Sequence, residues 1–131
     1  MVEENNRVML VDDDDTNNFI CKRMLAIFDP NIQVIEFIDP EAALAFFNQE
    51  YKKDIKLLLL DINMPKINAW QFLEHLEDRS QEYDIIILTS SIDPKDRMRA
   101  KQMTKIKGFW TKPLSLEMID NYFSNNFTFF S

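Results

Sequence analysis

The sequence predicts an α/β fold, an open, doubly wound parallel sheet with helices on both faces. Three observations carry that expectation. Strand-like and helix-like segments alternate five times along the 131 residues. Several strand-like segments, such as LLLL before Asp61, are unbroken apolar runs, as in strands buried on both faces. No repeat, linker or low-complexity tract interrupts the alternation.

Taken in order, Arg7–Val11 is a short apolar strand, and Thr16–Phe28 has helical periodicity through Phe19, Ile20, Met24, Ile27 and Phe28. Asp29-Pro30 breaks that helix. Residues 33–38 are rich in β-branched side chains and read as a second strand. Asp39 caps a helix with Pro40 at its first position and Ala43, Leu44, Phe46 and Phe47 inward. Residues 56–61 form an apolar run ending in an acid. A third helix over 69–76 turns Phe72, Leu73 and Leu76 inward. Residues 85–88 make a fourth strand, and Asp93-Pro94 repeats the cap-plus-proline start. Residues 108–111 make a short fifth strand. Ser115 caps a last helix with Leu116, Ile119 and Phe123 inward.

Length favours one domain over residues 1–131, with 1–6 a flexible N-terminus and 127–131 an apolar C-terminal tail. Hydrophobic residues make up 46% and charged residues 28%, which argues against disorder. With Gly108 the one glycine, turns needing positive φ must use Asn or Asp or be avoided. A single cysteine, Cys21, excludes an intrachain disulfide and is expected to be a buried, inert thiol. The start of the chain lacks a signal peptide's basic and apolar regions, and no run is long enough to span a bilayer. The expected location is cytoplasmic, with no membrane partner.

The net charge is −7 and unevenly placed: residues 1–65 carry 13 acids and 6 cations, residues 66–131 nine of each. That balance disfavours nucleic acid as a partner. Within 95–112, Lys95, Arg97, Arg99, Lys101, Lys105, Lys107 and Lys112 face a single acid, Asp96, a stretch that is either a solvated helix face or a dock for an acidic surface.

In a doubly wound sheet functional groups gather at the strands' carboxyl ends. The first strand ends in Asp12 and Asp13, the third in Asp61, the fourth in Thr89-Ser90-Ser91 and the fifth at Lys112 before Pro113. Converging carboxylates are unstable unless a cation neutralises them or some protonate. Oxygen-only ligands in an open site suit Mg²⁺, with Mn²⁺ as a substitute. A carboxylate beside Mg²⁺ and a lysine is well arranged to receive a phosphoryl group in line. Solvated strand-end acids explain one such residue easily, but not acid, acid, hydroxyl and lysine each ending a separate strand.

VDDDDTNNF, LLLLDINMPKINAWQFL, IIILTSS and GFWTKPLS, in that order and spacing, resemble the receiver domain of two-component response regulators, here of the stand-alone, chemotaxis type. The resemblance implies a flavodoxin-like (βα)5 sandwich with five parallel strands in the order 2-1-3-4-5. It further implies that Asp61 accepts the phosphoryl group and that Asp13 binds Mg²⁺ directly while Asp12 holds it through water. Asn63 offers its backbone carbonyl to the metal, Thr89 is the switch hydroxyl, Lys112 the conserved-type lysine and Phe109 the switch aromatic. Lys112–Pro113 is implied to be cis. Asn63 and Ser91 fall where side chains tune dephosphorylation. Ala69 replaces the family's usual glycine, so Asn68 is expected to take the positive φ of that loop. Phe109 replaces the frequent tyrosine and lacks its hydroxyl. The acidic pair has an alternative register, Asp13 with Asp14.

Other residues are read conservatively. His75 is a surface histidine, and Trp70 and Trp110 are packing residues. Phe127, Phe129 and Phe130 either pack back onto the last helix or serve an interface, with packing back favoured. A calcium loop starting at Asp13 fails, because its sixth position is Asn18 and its twelfth Met24. An aspartyl phosphatase of the haloacid-dehalogenase type wants a second Asp where Asn63 stands, and room for a cap domain. A degenerate receiver acting only as a binding module is disfavoured because the chemistry-bearing positions are filled. The expected protein is a signalling receiver rather than an enzyme. It takes its phosphoryl group from a histidine kinase or histidine phosphotransfer protein, and signals by contact with a downstream protein of acidic surface or by relaying phosphate.

Overall fold

Strands and helices alternate five times in the computed structural model, which describes residues 7–48, 55–76, 83–126 and 128–130. In chain order these are β1 (Arg7–Val11), α1 (Asp15–Phe28), β2 (Gln33–Phe37), α2 (Pro40–Phe47), β3 (Ile55–Leu60), α3 (Ala69–His75), β4 (Asp84–Thr89), α4 (Pro94–Gln102), β5 (Ile106–Thr111) and α5 (Leu116–Phe123). The expectations for residues 1–6, Phe127 and Ser131 lie outside the described residues.

The strands form one parallel sheet in the order β2-β1-β3-β4-β5, the doubly wound arrangement the alternation predicts. The pleat sends successive side chains to opposite faces, and each face has its own core. Met9, Val11, Leu58, Leu60, Ile85, Ile87 and Phe109 pack against α2, α3 and α4 through Ala43, Phe47, Phe72, Leu73 and Ala100. Val8, Leu10, Leu57, Leu59, Ile86, Leu88 and Trp110 pack against α1 and α5 through Cys21, Leu25, Ile119 and Tyr122. Each fully buried Leu or Ile stabilises by roughly 1.5–3 kcal/mol relative to exposure, so this double layer is the main source of stability.

Side-chain caps start each of the five helices among the described residues. Asp14, Asp39, Asn68, Asp93 and Ser115 accept from first-turn backbone N–H groups, each worth about 1 kcal/mol. Pro40 and Pro94 then supply a preset φ where no N–H is needed.

Several details depart from expectation. In α1, Phe19 and Ile27 are 59% and 58% exposed, while Asn17, Asn18, Cys21 and Leu25 face inward. The helix is rotated because Asn17 and Asn18 bond to the end of β1. In α5, Tyr122 is buried and Leu116 exposed, the Tyr122 hydroxyl donating to Asp84 at 2.6 Å. β5 starts two residues early, at Ile106, and β3 ends at Leu60, leaving Asp61 just beyond the ladder. Asn68 does not take a positive φ: it is extended at φ −93°, as an N-cap must be, and forms a capping box with Gln71. Positive φ falls instead on Lys66, at 72°, whose ammonium lies 3.7 Å from Asp39 and 3.4 Å from Glu41. Residues 129–130 do pack back, but against β5 and α4 rather than on α5.

Candidate functional site

The paired registers place the site. Val11 lies opposite Leu60, so the next residues, Asp12 and Asp61, leave neighbouring strands side by side. The Asp61 N–H donates to the Val11 carbonyl at 3.1 Å, and the Asp12 N–H to the Phe37 carbonyl at 3.1 Å. Both acids are therefore fixed by backbone bonds before their side chains are considered. Carboxylate oxygens of Asp12, Asp13 and Asp61 lie within 4.8 Å of one another. Asp12 and Asp61 are buried and Asp13 is exposed. Asp14 caps α1, its carboxylate accepting from the Thr16 and Asn17 N–H groups.

Asp12 is held on every side. Its Oδ1 accepts from the Asp14 N–H at 2.9 Å, and its Oδ2 from Asn17 Nδ2 at 2.9 Å. Its carbonyl accepts from Asn18 Nδ2 at 2.9 Å. Lys112 Nζ lies 2.7 Å from Asp12 Oδ2 and 3.6 Å from Asp61 Oδ2, bridging the two strands' acids. Asp61 Oδ1 accepts from the Ile62 N–H at 2.8 Å. Thr89, 1% exposed at the end of β4, accepts from the Ser91 N–H at 3.2 Å. Ser91 in turn donates to Asp96 at 2.6 Å, tying this loop to the first turn of α4. The Lys112–Pro113 peptide is cis.

Electrostatics show the strain in this packing. Burial first, and then the charge of Asp12, raise the Asp61 carboxyl, against the pull of Lys112, Thr89 and the Ile62 N–H. Burial pulls Lys112 down, but its bond to Asp12 and the charges of Asp61, Asp12 and Asp14 leave it above its ordinary value. The Cys21 thiol, buried beneath the site, is pushed up to about 12 by burial and then by Asp12, the inert cysteine its position predicts. The donor set is all oxygen and carries more negative charge than Lys112 offsets, so the residues fit a hard divalent cation such as Mg²⁺.

Of the sequence-predicted residues, Asp12, Asp13, Asp61, Thr89 and Lys112 meet at this end of the sheet. Asn63 is exposed in the loop after β3, two residues past Asp61. Phe109 sits two residues before the end of β5, opposite Ile87, in the core of the α4 face. His75 is exposed, its Nδ1 2.8 Å from the Gln71 carbonyl one turn back. Trp70 and Trp110 are packed, at 6% and 1% exposure. Asn17 and Asn18 escaped sequence reasoning. Two consecutive amides entering a helix straight after an acidic run were the available signal, since buried amides need partners.

Fold and site together define a signalling receiver of the two-component kind. Residues 8–123 match the response regulator receiver domain family, and the chain belongs to it. Among solved structures, a two component response regulator from Cytophaga hutchinsonii superposes with a TM-score of 0.82 at 25% identity, covering 92% of this chain and 95% of that one. A two-component response regulator from Legionella pneumophila does so with a TM-score of 0.74 at 28% identity, covering 92% and 96%. Curated relatives are longer. A probable transcriptional regulator, ycf27, of Galdieria sulphuraria is 29% identical over 93% of this chain but 50% of its own length. The 3',5'-cyclic-nucleotide phosphodiesterase regA of Dictyostelium discoideum is 29% identical over 86% of this chain and 14% of its own length. The chain thus spans half or less of the curated relatives it matches. Receiver domains bind Mg²⁺ at an acidic cluster and engage histidine kinases or phosphotransfer proteins, and this chain has such a cluster. Among the described residues no helix is long and apolar enough to cross a membrane.

Proposed function

We propose that the chain receives a phosphoryl group on Asp61 from a histidine kinase or histidine phosphotransfer protein and signals by a change at β4, β5 and α4. The observation that carries this is the convergence of Asp12, Asp13 and Asp61 within 4.8 Å beneath Lys112. Asp12, Asp13, Asp61 and the Asn63 carbonyl are the groups that would hold Mg²⁺. When bound, the ion offsets charge on the transferring phosphoryl oxygens.

The remaining work belongs to the chain. The backbone bonds at Val11 and Ile62 aim the Asp61 carboxylate out of the sheet. An Asp61 carboxylate oxygen attacks phosphorus as the phosphorus–nitrogen bond of the donor phosphohistidine breaks, and the imidazole leaves with the bonding pair and takes a proton. Lys112 offsets charge on the transferring group. Thr89, at the end of the neighbouring strand β4, hydrogen-bonds the new phosphoryl oxygens, and Phe109 on the same sheet face follows it. The face of α4 and β5 carries Lys95 and Lys107, both exposed, and supports docking of a downstream protein through an acidic surface.

Incubation with acetyl phosphate and Mg²⁺, followed by intact mass, tests the acceptor. The chain should gain one phosphoryl group, and Asp61→Asn should gain none. Equal labelling of both proteins, or of neither, overturns the assignment.

A further inference from the structure

β5 is the outer strand of the sheet, and its far edge would present unpaired backbone groups. Residues 128–130 come back to that edge. The Phe109 N–H donates to the Phe129 carbonyl at 2.7 Å, and Phe109 and Phe130 pair as a parallel bridge. The Phe109 and Phe130 rings meet edge to face at 6.2 Å, and Phe129 and Phe130 do so at 4.8 Å. Two cations of α4 close over the pair: the Arg97 guanidinium lies 4.2 Å from the Phe130 ring and 5.6 Å from that of Phe109, and the Lys101 ammonium 4.5 Å from Phe129. Phe109 is thereby 0% exposed. Phe130 also forms one wall of a groove on α4 with Arg97, Met98 and Lys101.

We infer that residues 128–130 act as an intramolecular strap that holds Phe109 inward and, through the shared sheet face, favours Thr89 at Asp61. The geometry gives the direction of coupling. Phe109 pairs with Ile87, and Thr89 lies two residues further along the same strand, so both side chains stand on the α4 face of neighbouring strands. With the strap seated, Phe109 is fully buried, and Thr89 is buried on the same face of the neighbouring strand. A seated strap therefore favours the arrangement a modified Asp61 uses, and by linkage modification of Asp61 tightens the strap. With the strap detached, the Phe109 ring loses its outer cover and its N–H loses its acceptor, so the aromatic is free to leave. The surface a partner meets on α4 then lacks its Phe130 wall.

The coupling rests on reading Asp61 as the phosphoacceptor, and beryllofluoride with Mg²⁺, a mimic of the aspartyl phosphate, separates the two ideas. The variant Phe129→Ala/Phe130→Ala should bind beryllofluoride at least about five-fold more weakly than the unaltered chain, the lower end of ordinary coupling. In the unaltered chain, amide exchange at Phe109 should slow on beryllofluoride addition, a readout that needs no variant to fold. Equal or tighter binding by the variant, or Phe109 exchange that stays the same or quickens, overturns the strap. An unaltered chain that forms no adduct overturns the acceptor reading itself, and the coupling with it.

Discussion

Two charged regions of this molecule solve opposite problems. At the carboxyl end of the sheet, Asp12 and Asp61 are buried around one lysine, and the ionisation of Asp61 and of Lys112 depends on their neighbours. At the β5 edge, Arg97 and Lys101 lie over aromatic rings, with water available to the cations. In the first region the charges are few, desolvated and mutually dependent, so removing the lysine leaves two acids uncompensated. In the second the cations stay screened by water, so each loss should be small, although Arg97 and Lys101 share the Phe130 ring. The comparison teaches that a charge's weight here follows its surroundings: the acidic end is where chemistry is poised, and the basic edge is where packing is trimmed.

The sharpest way to break that contrast is Lys112→Met. It strands Asp12 and Asp61 without their shared cation and should lower stability by about 3 kcal/mol in metal-free buffer, read from urea midpoints. Added Mg²⁺ should restore much of this, because a ligand bound only by the folded state stabilises it. A loss no larger than that of an ordinary surface substitution would mean the site's charges are not coupled.

Asp61→Asn should act in the other direction. Most substitutions destabilise by about 1 kcal/mol, yet here a buried carboxylate beside Asp12 is replaced by a neutral amide, and in EDTA at pH 7 the variant should be the more stable protein. The folded-state value of Asp61 is raised, so the stability linked to its protonation is present below the unfolded value and lost as pH rises through the folded one. The variant's advantage should therefore be largest at neutral pH and shrink as pH falls toward 4. Urea titrations at several pH values check it; an advantage that grows on acidification would contradict the sign.

The smallest effect belongs to the basic edge. Arg97→Gln removes a cation from over Phe130 and should cost about 0.5–1 kcal/mol, with little dependence on pH. Thermal unfolding of the single variant and of Arg97→Gln/Lys101→Gln checks this; the pair should lose only slightly more or less than the sum, through the Phe130 ring both cations overlie. Strong non-additivity would make the edge resemble the acidic end.

Much of the site was legible before the structure. Asp61 after LLLL, Thr89 after IIIL and Lys112 before Pro113 each end an apolar run, and a parallel sheet must bring such ends together. The same rule placed Asp12 and Asp13. The register within the acidic run was ambiguous in sequence, because four identical residues offer no pattern. In the structure Asp14 caps α1, while Asp12 and Asp13 lie with Asp61. The inward face of α1 was misread for a related reason. Phe19 and Ile27 have the hydrophobicity of a core stripe, but the helix turns by what its first turn must satisfy, and Asn17 and Asn18 satisfy Asp12. The expected positive φ at Asn68 failed because a capping role demands extended backbone there.

The sequence by itself determined the class of fold, the order of its elements, their capping and the set of residues that meet at the sheet's carboxyl end. Those follow from local periodicity and from strands whose two faces are both apolar. Only the tertiary structure decided which asparagines hold Asp12, where Lys112 divides its charge, and that Phe129 and Phe130 close on Phe109 beneath Arg97 and Lys101. The physical reason is range. Caps and periodicity act within a few residues, whereas burial, charge pairing and edge pairing depend on groups that only folding brings within a few ångströms of each other.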